Sequence, residues 1–338
     1  MIDPFLSLSL EERRLYITQA ALKGSKGAII YEKDFWVCWL LKQLFTLPIL
    51  GEHLIFKGGT SLSKAYGIIE RFSEDIDMSF HRSFLGFEGD KDPENAQSAN
   101  KRALQLEKLQ QVSVELIKDR VFPLLKEMIA SELEGEWSLE IDKHDPQALL
   151  FTYPSVGISF GTTYIRPVLK VEFGARSDNW PQEERTVNSY LSEEYPNILL
   201  NVGQVKARTL TIARTFWEKA TILHAEFHRK EEDRIPDRYS RHYYDLFCIS
   251  QSSHKPAILK DLSLLNKVAE HKMVFFRAKW ANYESAKAGT LRLLPQQKHI
   301  AQLKADYNEM RPMFFSEPPN FDQILEELRS LEEEINKL

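Results

Sequence analysis

The stretch from His53 to Phe80 limits what this chain can become more than any other. His53-Leu54-Ile55-Phe56 is short and apolar and predicts a buried strand. Lys57-Gly58-Gly59-Thr60 follows it directly, and Ser61 to Ile69 has helical spacing with Thr60 or Ser61 as its N-cap. Glycine is scarce, 14 of 338 residues, so two adjacent glycines between a strand and a helix stand out. They let the backbone turn tightly and approach a ligand closely. The helix start that follows presents free N–H groups that suit a phosphate, and the Thr60 and Ser61 hydroxyls sit at the same end. Such a turn can equally be a plain connection. What sharpens it is Ser73-Glu74-Asp75-Ile76-Asp77-Met78-Ser79-Phe80, which alternates like a strand and puts Asp75 and Asp77 on one face, with Ile76 and Met78 on the other. Two carboxylates side by side repel unless a cation compensates them, and a hard divalent cation such as Mg²⁺ takes carboxylate together with phosphate oxygens.

A third carboxylate is on offer. On Pro167-Val168-Leu169-Lys170-Val171-Glu172-Phe173, Lys170 and Glu172 share one face and Leu169, Val171 and Phe173 the other. If this strand lies beside the Asp strand, Glu172 would complete a three-carboxylate, two-metal site for phosphoryl displacement. A Lys170–Glu172 surface pair is the plainer alternative.

The rest of the chain divides in two. Helices are predicted over 5–22 and from Tyr31 to about Phe45, a polar loop over 81–97, and a long helix from about Ala99 to Leu133 that Pro123 should kink. Strands are expected at Trp137–Asp142, Leu149–Tyr153 and Val156–Phe160. After about residue 203 the pattern turns helical: Val205–Arg229, Tyr243–Ser250, Ala257–Lys272, Phe276–Ala288, Lys298–Met310 and Phe321–Asn336. The expected domains are therefore 1–200 and 201–338.

Charge and cysteine usage exclude little. The net charge of −5 argues against a plain nucleic-acid binder, but seven acids and two bases between Glu317 and Leu338 account for all of it. Residues 1–316 carry 42 of each sign. That acidic tail reads as a solvated terminal helix or a partner's docking surface. Bases between Gln204 and Asp245 are interleaved with acids and form no clean patch. His224 and His228 are four apart on one predicted helix face but have no further zinc ligand at suitable spacing. Cys38 and Cys248 sit in apolar contexts and read as buried small hydrophobes. With no cysteine framework, no signal-peptide pattern and no apolar run of about 20 residues, a cytoplasmic protein without membrane association is expected.

Gly58-Gly59-Thr60 with Arg71-Phe72-Ser73-Glu74-Asp75-Ile76-Asp77 resembles the signature of the DNA polymerase beta-like nucleotidyltransferases. More closely, it is similar to the AbiEii/AbiGii-type toxin nucleotidyltransferases. Phe216-Trp217-Glu218-Lys219-Ala220 and Arg241-His242-Tyr243-Tyr244-Asp245-Leu246 resemble that family's later lysine and aspartate motifs. Leu293-Leu294-Pro295 and Asp306-Tyr307-Asn308-Glu309-Met310 resemble its C-terminal helical part, so the likeness runs from about residue 30 to 315. The resemblance implies an α/β (α+β) nucleotidyltransferase domain with a mixed sheet, closed over by a helical C-terminal domain. It implies that Gly58, Gly59, Thr60 and Ser61 hold an NTP, that Asp75 and Asp77 bind Mg²⁺, and that Lys219 and Asp245 belong to the catalytic site. Lys57, beside the glycine turn, is a further phosphate candidate, and Glu172 the third carboxylate. The implied reaction transfers an NMP from an NTP to an acceptor such as tRNA, in a toxin with a cognate antitoxin. The same residues would serve a small-molecule or protein acceptor, and a non-catalytic nucleotide-binding protein on this fold is the reading from another class.

Overall fold

The computed structural model describes residues 3–158, 166–199 and 202–338. The chain opens with α1 (Leu10–Lys23), started by a capping box in which Ser9 and Glu12 each satisfy the other's backbone N–H. In α2 (Ala28–Thr46) residues are buried on every face, which makes it a core helix rather than an amphipathic surface one. Then come β1 (Leu54–Lys57), α3 (Gly58–Lys64) and β2 (Ile76–Phe80). The helix expected from Ser61 begins earlier, with both glycines in its first turn and no side-chain cap, and it stops at Lys64. The strand expected from Ser73 begins only at Ile76.

The long helix is α4 (Ala99–Leu116) and α5 (Phe122–Glu132), joined by a widened π turn over Ile117–Val121. Pro123 has no N–H to donate and its ring would crowd the carbonyl four residues back, so the helix widens just ahead of it. Next are β3 (Ser138–Ile141), β4 (Ala148–Thr152), β5 (Val168–Phe173), β6 (Gln182–Val187), α6 (Tyr190–Glu194) and β7 (Val205–Leu210). The strand expected over Val156–Phe160 does not form at 156–158, and residues 159 and 160 lie outside the described residues. The helix expected from Val205 is corrected: Val205–Leu210 is a strand, and α7 (Ile212–Phe227) starts after Thr211, whose hydroxyl accepts from the Arg214 N–H.

The remaining helices are α8 (Ser240–Ser250), α9 (Lys255–Lys260), α10 (Ser263–Phe275), α11 (Ile300–Glu309) and α12 (Phe321–Asn336). The expected 257–272 helix is broken at Asp261, whose carboxylate accepts from the Ser263 N–H. The expected 276–288 helix is two short 3-10 turns separated by Asn282 at φ +47°.

The seven strands form one mixed sheet in the order β3-β4-β5-β2-β1-β7-β6. β1 pairs antiparallel with β2 and parallel with β7, while β2 pairs parallel with β5. Alternation on β5 is as expected: Leu169, Val171 and Phe173 are buried and Lys170 and Glu172 are not. One core packs α1, α2, α4 and α5 onto the sheet, with Trp36, Trp39 and Phe151 in mutual aromatic contact. A second core gathers α7, α8, α10, α11 and α12, and it includes Leu62 of α3 and Ile69. The short helix α3 thus sits at the seam between the two cores.

Candidate active site

Three strand neighbours line up at the middle of the sheet. Lys57 ends β1 and lies opposite Asp77 of β2, which in turn lies opposite Glu172 of β5. Immediately after Lys57 the backbone turns into α3 through Gly58 at φ +77°, and a Cβ at Gly58 would collide with the Asp77 carboxylate. A Cβ on Gly59 would fall 2.8 Å from Arg71 Nη2 and 3.0 Å from Ser73 Oγ. Both glycines are therefore required by close approach of the two acidic and basic groups beneath them, as well as by the turn.

The loop bearing Asp75 is tied down from several sides. Thr60 Oγ1 donates to the Asp75 carbonyl and lies 2.9 Å from Ser73 Oγ. Glu74 accepts from Lys33 of α2, with Arg238 Nη2 3.7 Å from its other oxygen. Ser61 Oγ turns back to the Gly58 carbonyl at 2.9 Å. Thr60 and Ser61 are fully buried and their hydroxyls are committed internally, so they shape the turn rather than face the cleft. Asp75 and Asp77 do face it, together with Lys57, Gly58 and Gly59. Burial raises the Asp75 pKa, and the neighbouring charges of Glu74 and Asp77 raise it further against Arg238 and Arg241. Its nearest cation, Arg241, is 3.7 Å away.

An under-compensated pair of carboxylates facing a cleft fits a hard divalent cation that takes its remaining oxygens from phosphate and water. Glu172 does not complete the set. Its carboxylate is held by Lys170 Nζ at 2.6 Å and is absent from the cleft lining, which is the surface pair that alternation on β5 also allowed. Among the described residues no three His, Cys, Asp or Glu side chains stand together as a metal centre.

The opposite wall comes from the helices. Asp245 of α8 is completely buried and takes a two-point bond from Arg71 (Nε and Nη2, each 2.8 Å) and a third contact from Lys219 of α7 at 2.8 Å. Although burial opposes its charge, the two cations hold the Asp245 carboxyl far below the usual carboxylate range. One carboxylate cannot neutralise two cations, and this shows in Lys219. Its pKa is lowered, first by burial and then by Arg71 and Arg241, despite Asp245. The triad therefore carries an unmatched positive charge at the edge of the cleft, where an anion would be drawn in.

The cleft measures about 260 Å³ and is lined on the helical side by Lys219, Arg241, His242, Asp245 and Lys272. The sequence readings brought together here are Lys57, Gly58, Gly59, Asp75, Asp77, Lys219 and Asp245. Arg71 and Lys272 were missed as site residues. Arg71 lay inside the quoted motif, and its position before an acidic strand was the available signal. Lys272 has no local signal, because only the packing of α10 carries it to the cleft. His224 is a core histidine: its Nδ1 accepts from the Arg292 N–H, leaving Nε2 to donate to the Asn282 carbonyl, and burial lowers its pKa to about 4. Cys38 is buried, and burial pushes the Cys248 thiol up to about 12.

A strand–Gly-Gly–helix turn beside a carboxylate pair at the start of β2, faced by a lysine and an aspartate from a helical layer, is the arrangement of a nucleotidyltransferase, and the comparisons with known proteins agree. The model of the family described as "Nucleotidyl transferase AbiEii toxin, Type IV TA system" matches residues 39–327, and the chain belongs to that family. Among solved structures it is similar in fold to MenT4, a nucleotidyltransferase toxin from Mycobacterium tuberculosis H37Rv, with a TM-score of 0.53 at 18% identity over 96% of this chain and 90% of that one. No curated protein sequence matches it. Among the described residues no helix is long and apolar enough to cross a membrane.

Proposed function

We propose that this nucleotidyltransferase toxin transfers an NMP from an NTP to the 3′ end of tRNA with Mg²⁺ as its metal, and that a cognate antitoxin opposes it in the cytoplasm. The observation that carries the reading is the pairing, across one cleft, of two free-facing carboxylates with a cation-rich wall. In this reading Asp75 and Asp77 would hold the metal, whose charge would offset that of the phosphates when bound. Lys219, fixed by Asp245, which Arg71 fixes in turn, binds a phosphate oxygen. Gly58 and Gly59 let the nucleotide's phosphates approach the backbone, and Lys57 supplies a further charge beside them. The acceptor oxygen forms a bond to the α-phosphorus as the bond to the departing pyrophosphate breaks.

The test is transfer of label. Purified protein receives each α-labelled NTP in turn, with Mg²⁺ and total tRNA, and Asp77→Ala serves as the control. Label is expected in tRNA with one NTP or a few, and in none with Asp77→Ala. Label confined to protein or to small molecules would move the acceptor assignment, and no label in any fraction would sink the reading.

A further inference from the structure

Lys57 has so far only a general charge beside the phosphates, and Lys272, which lines the same cleft, has no role. Lys57 reaches it from the end of β1 and Lys272 from the last turn of α10. Among the described residues neither has a carboxylate within 4 Å, although each is partly buried. The nearby acids are committed elsewhere: Glu218 holds Arg214 Nε at 3.0 Å, and Asp178 holds Arg214 Nη1 at 2.7 Å. The Lys272 ammonium lies 4.4 Å from the centre of the Phe276 ring, and burial, Arg214 and Lys57 together lower its pKa, with only Glu218 opposing. Space is kept open here too. A side chain on Gly174, after β5, would crowd Ser177 Oγ at 2.8 Å and Lys57 Cε at 3.5 Å, so glycine leaves the Ser177 hydroxyl and Lys57 at the cleft wall.

Two partly buried cations without a carboxylate partner, flanked by a hydroxyl, are a costly arrangement unless an anion joins them. We infer that Lys57, Lys272 and Ser177 form a second phosphate seat in the cleft, distinct from the Lys219–Asp245–Arg71 group. Its occupant is a phosphate of the substrates, either the triphosphate tail of the nucleotide or a backbone phosphate of the acceptor. The inference rests on the cleft being the phosphoryl-transfer site proposed above, and it adds α10 to that site.

Calorimetric titration separates the sources without requiring turnover. The probes are inorganic tripolyphosphate and a short single-stranded RNA lacking a triphosphate, each titrated into the full chain and into Lys272→Gln and Lys272→Arg. If the seat takes the triphosphate tail, Lys272→Gln weakens tripolyphosphate binding about tenfold or more and leaves RNA binding as it was. If it takes the acceptor backbone, RNA binding falls and tripolyphosphate binding holds. In either case Lys272→Arg restores most of the loss, which a packing defect would not allow. Equal affinity of the full chain and Lys272→Gln for both probes overturns the seat. So does an enzyme that transfers label but binds neither probe through Lys272. A preparation that binds tripolyphosphate through Lys272 yet labels no acceptor leaves the seat standing and overturns the transfer reading instead.

Discussion

At the scale of single residues the site turns on Asp245. It is the shared anion of Arg71 and Lys219, and removing its charge leaves two buried cations unpaired. Asp245→Asn is expected to cost about 3–5 kcal/mol in urea unfolding. It should also move a pH profile in a defined direction. Lys219 binds phosphate only while protonated, so activity is present below its pKa and is lost as pH rises through it. Burial and the neighbouring cations set that pKa below an ordinary lysine's, so the alkaline limb of kcat/KM should fall below the usual lysine range. In Asp245→Asn the one opposing charge is gone, and the limb should shift to still lower pH. An alkaline limb unmoved by the substitution would remove Lys219 from phosphate binding. Asp245 itself stays ionised on the way down in pH. Its contribution to stability is present above the ordinary carboxylate range and is lost only as pH falls through its lowered value. Gly58 supplies a second residue-level expectation. At φ +77°, with the Asp77 carboxylate where a Cβ would sit, Gly58→Ala should cost about 1–3 kcal/mol in unfolding and abolish labelling, since relief of the clash must displace Asp77. Wild-type activity in Gly58→Ala would show that Asp77 need not be where it is.

Among the elements, α3 decides whether the glycine turn and the Asp strand meet. It is too short to be stable alone and is held by its neighbours. Lys64 at its end bonds Asp34 of α2 at 2.7 Å and lies over the Tyr190 ring at 3.4 Å, and Asp34 also accepts from the Tyr190 N–H at 2.6 Å. Asp34→Ala would strand the buried Lys64 ammonium, and a loss of about 3–5 kcal/mol is expected by chemical denaturation, with labelling reduced because Gly58 and Gly59 ride on the same helix. Replacing both partners, Asp34→Leu with Lys64→Met, should recover much of the stability. A single substitution as harmless as the double would show that the pair does not hold α3. The same scale shows what could be read from sequence. β1, β2 and β5 were legible because each alternates or runs apolar with a buried face. β6 was not, since Gln182-Glu183-Glu184-Arg185 is polar on both faces and survives as an edge strand by pairing with β7, where Glu184 lies opposite Arg208. β7 was hidden by the helix that follows it, although Thr211 marked the boundary as an N-cap. In the same way the sequence brought Asp75, Asp77, Lys219 and Asp245 to notice through local motifs, while the burial of Thr60 and Ser61 and the arrival of Lys272 depend on tertiary packing.

For the whole molecule, net charge and site chemistry are separate matters. The acidic tail is α12, whose apolar stripe from Phe321 through Leu328 to Ile335 is buried in the second core. Glu326, Glu333 and Glu334 point to solvent on its other side, while Glu332 turns inward to accept from the Leu293 N–H. Most of the acids behind the net charge of −5 thus lie on a helix that does not line the cleft, and the cleft keeps its own excess of cations. That cleft has one wall from each core: Lys57, Asp75 and Asp77 on the sheet side, Lys219, Asp245 and Lys272 on the helical side. A nucleotide seated there binds the folded chain and has no comparable site in the unfolded one. At 100 times its Kd it should stabilise the fold by about 2.7 kcal/mol, a rise of a few degrees in Tm. The two walls make the response separable. Asp77→Ala should lose the increment that Mg²⁺ adds and keep the metal-free increment, whereas Lys219→Gln should lose most of the metal-free increment. Thermal unfolding of both variants with NTP, with and without Mg²⁺, reads this directly. If both variants respond as the unaltered chain does, the nucleotide binds somewhere other than between the two walls.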